Sequence, residues 1–91
     1  MKHHHRLGTQ QHIALMVMTR EAEQITVLIA GLRKSARDID RQRQKADIAL
    51  RRALDLRHNN LMVTIAALED RVSAIRGLIK LDRPYVTHRM H

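Results

Sequence analysis

Between Ile25 and Leu54 the apolar residues recur at helical spacing. Ile25, Leu28, Ile29, Leu32, Ala36, Ile39, Ala46, Leu50, Ala53 and Leu54 fall within one arc of roughly 120° at about 100° per residue. The bases Arg33, Lys34, Arg37, Arg41, Lys45, Arg51 and Arg52 fill a separate arc of about the same width. This is the pattern of a helix with one apolar and one basic face. Its phase runs on past Ser35, although Ser35 followed by Asp38 reads as a weak capping box. A turn there would have no reason to keep the register, so the pattern predicts one long helix over about residues 20–57.

The segment Ile13 to Met18 is apolar but out of phase with that stripe. A change of direction or of element is therefore expected between Met18 and Ile25. Thr19 suits an N-cap there, with Glu21 and Glu23 in the first turn, where the helix dipole favours acids. Residues 10–18 then form a short helix, a tucked apolar segment or the first turns of the same helix.

A second seam lies further along the chain. Leu61, Ile65, Leu68, Val72, Ile75 and Ile79 alternate spacings of four and three, the sharpest periodicity in the sequence. His58, Asn59 and Asn60 precede it. Asparagine tolerates left-handed geometry and caps helices, and the seam slips at this point, so the turn is expected here. Pro84 ends the helical pattern. The expected fold is all-α: an antiparallel hairpin with a long helix over about 20–57 and a short one over about 61–81. A His-rich disordered tail, 1–11, precedes this 12–81 domain, and a C-terminal tail, 82–91, carries Tyr85.

The arms of such a hairpin are unequal. The short helix would cover only the second half of the long one, leaving Ile25 to Leu32 bare, with Ile25, Val27, Leu28, Ile29 and Leu32 as its large apolar residues. Exposed apolar surface of that size marks an interface, and a lone hairpin has little core. A homodimer or larger helical bundle, or a helical protein partner, is therefore expected. Arg43 and Arg57 also lie on the apolar arc. A buried arginine needs an acid; Asp47 is the local choice for Arg43, and an acid from a second subunit is the other.

Composition narrows the function classes. The 91 residues make one domain at most. There is no Cys, Trp or Phe and one Tyr, which excludes a disulfide scaffold and a zinc–cysteine site and accords with a cytoplasmic location. The net charge of +8 favours acidic partners or serves solubility. The longest apolar run, Ile13 to Met18, is far below the ~18 residues of a membrane span and too short for a signal peptide. His3, His4 and His5 are consecutive, whereas a helical metal site wants i, i+4 spacing; they read as a tail or tag remnant.

No nucleophile elbow, Gly-rich phosphate loop, HExxH or Cys/His cluster is present, so neither catalysis nor a cofactor is expected. Arg37-Asp38-Ile39-Asp40-Arg41 resembles the start of the second helix in helical chorismate mutases. The positions that would complete that family's anion-binding shell hold Met1, Met18, Ile29, Ala74 and Leu78, so the resemblance brings no activity with it. Two readings of function remain. The first is a protein-interaction module (adaptor, chaperone or regulator) acting through its apolar seam. The second is nucleic-acid binding through Arg33, Arg37, Arg41, Lys45 and Arg52, several of which rise one turn at a time along the helix.

Overall fold

In the computed structural model, residues 2–81 are described, with side chains from residue 10 onward. Two helices account for them: α1, Lys2–Lys45, and α2, Ile48–Leu81. They pack against each other as an antiparallel hairpin, the architecture expected. At about 1.5 Å per residue the 44 residues of α1 span roughly 66 Å and set the 70 Å length of the molecule.

The position of the turn differs from the expectation. It falls at Ala46-Asp47, not at His58-Asn59-Asn60, so the long helix does not reach residue 57 and the second does not begin at 61. Asp47 is the N-cap of α2: its Oδ1 accepts from the Leu50 N–H at 2.8 Å, and its carbonyl accepts from the Arg51 N–H at 2.8 Å. The first bond satisfies a donor that a helix start leaves unpaired, and the second is the first rung of the helix ladder. Arg43 and Lys45 in the last turn of α1 suit the negative end of its dipole. No described residue has a positive φ, so the connection uses neither Gly nor Pro. A two-residue gap also hardly disturbs the apolar phase, which is why the periodicity runs through it.

Asn59 and Asn60 continue α2. Both are exposed, and asparagine in a helix interior costs only about 0.7 kcal/mol relative to alanine. The apparent slip disappears because half-buried His58, rather than exposed Arg57, occupies the seam. Leu54, His58, Leu61, Ile65, Leu68, Val72, Ile75 and Ile79 then form one heptad seam.

On α1 the matching seam runs Met18, Ala22, Ile25, Ile29, Leu32, Ala36, Ile39 and Arg43. Thr19 lies mid-helix, so no element starts there. Residues 10–18 are early turns of the same helix, and 2–11, expected as a disordered tail, belong to α1 as well. Residues 82–91, with Pro84 and Tyr85, lie outside the described residues, as do the side chains of His3, His4 and His5.

The core is a single line of contacts. Ala22, Ala36, Ile39, Leu54, Ile65, Val72 and Ile75 are buried, and Ile65, at 1 % exposure, is the most enclosed large side chain. Ala22, Val72 and Ile75 form the central cluster, with Met18, Ile25, Ile29 and Ile79 packed around it.

The capping assignment makes a prediction that separates the two turn positions. Asp47→Ala should lower unfolding free energy by about 1 kcal/mol, whereas Asn59→Ala, at an exposed helix position, should leave it unchanged or slightly raised. Urea denaturation reads both; the reverse order would place the turn at Asn59. Gly31 lies mid-helix, and a Cβ there would meet nothing within 4 Å. Gly31→Ala should therefore stabilise the hairpin by up to about 1 kcal/mol in the same assay.

Candidate functional site

The longer α2 changes which apolar surface is free. Of the expected interface residues, Ile25 and Ile29 pack on the central cluster and Leu32 is half-buried. Val27 and Leu28, 73 % and 51 % exposed, remain open as expected. The premise that α1 lacks a partner over Ile25 to Leu32 is corrected by the earlier start of α2, at Ile48 rather than about 61, which extends the pairing back to Met18.

A different face of α1 is bare. Ile13, Met16, Val17, Val27 and Leu28 are all exposed. At about 100° per residue they share an arc of roughly 120°, turned well away from the seam. Ile13, Met16 and Val17, with Arg20, Glu21 and Gln24, line an open groove of about 450 Å³. Beyond Gly31 the same arc turns polar, with Lys34, Ser35 and Asp38. The apolar patch is thus confined to the part of α1 far from the turn. In the sequence, Ile13 to Met18 stands out as being out of phase with the main stripe. The more useful signal is that Ile13, Val17, Gln24, Val27 and Gly31 form a second stripe on the same helix.

Ion pairs fasten the flanks of the seam. Arg33 meets Glu69 at 2.9 Å and Arg71 meets Glu21. Both are exposed pairs that contribute little singly. Arg43 differs because it occupies a seam position of α1. Its guanidinium donates to Asp55 of α2 at 3.0 Å and to Asp40 one turn back. Asp47, the expected local partner, is the α2 cap instead. Hydrogen bonds to Asp55 and then Asp40 push the Arg43 pKa further up, so the charge persists at any pH the fold survives.

The basic residues divide into groups. Arg33, Arg37 and Arg41 line one open groove of about 500 Å³ between the helices, with Ala36, Asp40, His58 and Met62. Lys45 sits at the end of α1, and Arg52 lies on α2, outside that groove. Within it Arg33 is held by Glu69, and Arg41 lies 3.7 Å from Asp38. Arg37 makes no ion pair among the described residues. The segment Arg37 to Arg41 lies inside α1, not at the start of a second helix as in the chorismate mutases it resembles.

Among the described residues no group of His, Asp and Glu could hold a metal ion, and no helix is long and apolar enough to cross a membrane. No protein-family model, curated protein or solved structure matches the chain, so its own surfaces carry the functional argument.

The Arg43 arrangement is testable by substitution. Arg43→Ala removes the donor shared by Asp40 and Asp55 and leaves two carboxylates facing each other across the seam. It should lower the thermal midpoint clearly, whereas Arg57→Ala, on an exposed side chain, should leave it within error. Calorimetry of the two variants checks this, and equal midpoints would show that the Arg43 contacts do not hold the hairpin.

Proposed function

We propose that this chain is a small non-enzymatic helical interaction module that presents an apolar helix face to a partner helix. The observation that supports this reading is the imbalance between buried and exposed apolar side chains. Among the described residues, seven hydrophobic residues are buried, while twelve large ones are exposed. A domain whose surface outweighs its core in this way gains by associating, since apolar area withdrawn from water contributes about 25 cal/mol per Å². The arc formed by Ile13, Met16, Val17, Val27 and Leu28 is the surface best shaped for a partner. It lies on one regular helix and contains a groove at its Ile13 to Gln24 end. An amphipathic helix laid along it would place residues at i, i+3, i+4 and i+7 into that groove. Arg20 and Gln24 within the arc, with Glu21 beside it, supply polar groups that orient the bound helix.

A photo-crosslinking residue in place of Val17 or Val27 tests this reading in the intact cell. It should give a few discrete protein adducts, and Ile13→Glu should suppress those from position 17. The same crosslinker in place of Lys34, beyond the apolar patch, should give none. Equal adducts from both sites would remove the support for a dedicated face.

A second reading has one observation in its favour, the row of Arg33, Arg37 and Arg41 along a single groove. Such a row can follow successive phosphates. Pairing of Arg33 with Glu69 and proximity of Arg41 to Asp38 reduce the charge it offers, which places this reading second. If nucleic acid is the partner, affinity for a duplex should fall steeply with salt, and Arg37→Ala should reduce the slope by about one. Weak, salt-insensitive retention on the duplex would exclude it.

A further inference from the structure

The outer face of α2 carries a second heptad seam that the hairpin leaves unused. From Ala49 to Leu81 its positions keep strictly alternating spacings of four and three, and every one is exposed. Leu56 and Val63 are 64 % and 70 % exposed. The face lies on the side of α2 opposite the seam that meets α1, so no described residue of the chain covers it. Apart from Asn60 and Asp70 its positions are Ala, Gly, Leu or Val, with Leu56, Val63 and Leu81 the large side chains.

We infer that the partner for this face is a second copy of the same chain, packed antiparallel about a two-fold axis near the level of Ile65. The argument is that the seam is complementary to its own reverse. In that register Leu56 faces Ala74 of the second copy, Val63 faces Ala67, and Leu81 faces Ala49. Three layers join a large side chain to a small one, which fills space without overpacking, and the remaining apolar layer, Ala53 against Gly77, is small on both sides and lets the backbones approach. The seam has two polar positions, Asn60 and Asp70, and these face each other, once on each side of the axis. The Asn60 amide can donate to the Asp70 carboxylate, a charge-assisted bond. Asp70 makes no ion pair among the described residues. Leu50 and Leu78, both about half exposed, meet along one flank.

A parallel pair would do the opposite. It would set Asp70 against Asp70, leucine against leucine and alanine against alanine, with like charges and unequal layers. A two-fold interface is the commonest solution for a self-complementary patch, and a single polar layer is a known way to fix helix register. This inference rests on reading the chain as an interaction module, but it concerns a different helix from the face proposed above.

The test uses the full chain, with helicity by circular dichroism confirming that each variant folds. Sedimentation should show a dimer at about 100 micromolar. Asn60→Asp places two carboxylates together in each polar layer and should weaken the dimer on the order of tenfold or more. The exchange N60D/D70N restores one amide and one carboxylate per layer and should bring dimerisation back. The chain has no cysteine, so single-cysteine variants report geometry directly. A mixture of Leu56→Cys and Ala74→Cys chains should form disulfide-linked heterodimers on oxidation, and neither variant should link to itself.

A wild-type chain that stays monomeric overturns the inference. So does an exchange variant no better than the single one, or self-linking of the Ala74→Cys chain, which would indicate a parallel pair. Ile13→Glu should leave the dimer intact, and crosslinking from Val17 is read separately. Failure of the two-fold therefore leaves the α1 face standing, and loss of adducts at Val17 leaves the dimer standing.

Discussion

The Asp47 cap sets the register of everything else. A two-residue connection leaves no slack, so once Asp47 accepts the Leu50 N–H the start of α2 is fixed against the end of α1. From that point the two heptad seams run alongside each other, and Ile65, Val72 and Ile75 meet their counterparts turn by turn. The Arg43 contacts depend on the same closure. Asp55 comes within 3.0 Å of Arg43 only because the chain reverses immediately after Lys45. A turn at His58 to Asn60 would have put both on one rod, about 18 Å apart along its axis at 1.5 Å per residue.

A core of one seam per helix determines the character of the surface. Two helices touch along a single line, and every other apolar position must face water or another molecule. The ion pairs Arg33–Glu69 and Arg71–Glu21 close the edges of the seam but bury almost nothing. The fold is therefore well specified in register and thin in apolar burial. Apolar side chains off that line stay exposed, as Ile13, Val27 and Leu56 do. The basic groove arises from the same geometry, since Arg33, Arg37 and Arg41 lie just outside the seam and are carried to its rim beside His58.

The helical class, the hairpin and the continuity of α1 past Ser35 were legible because heptad spacing directly reflects the geometry of a helix. The second seam, from Leu61 to Ile79, was legible for the same reason. The turn was not. Asn59-Asn60 has the chemistry of a turn and lies in a helix, while Ala46-Asp47 carries only an acidic cap. Propensity at two exposed asparagines was outweighed by eight seam positions that required a continuous rod. That displacement spread to the site. Once α2 began at Ile48, Ile25 and Ile29 had a partner within the chain, and the open surface moved to Ile13, Met16 and Val17. The need of Arg43 for an acid is visible in the sequence, but its partner Asp55 stands twelve positions away and can be assigned only with the turn in place.

The connection between the helices has a topological consequence. No described residue has a positive φ, and neither Gly nor Pro interrupts the chain from Ala46 to Leu81 apart from Gly77. The backbone itself does not oppose a straight path through Ala46 and Asp47. The hairpin and a single unbroken rod of some eighty residues are therefore separated by one side-chain cap and the contacts it aligns. The direction of the second arm is thus set by side chains rather than by the backbone: one carboxylate at the turn and the seam contacts that follow from it.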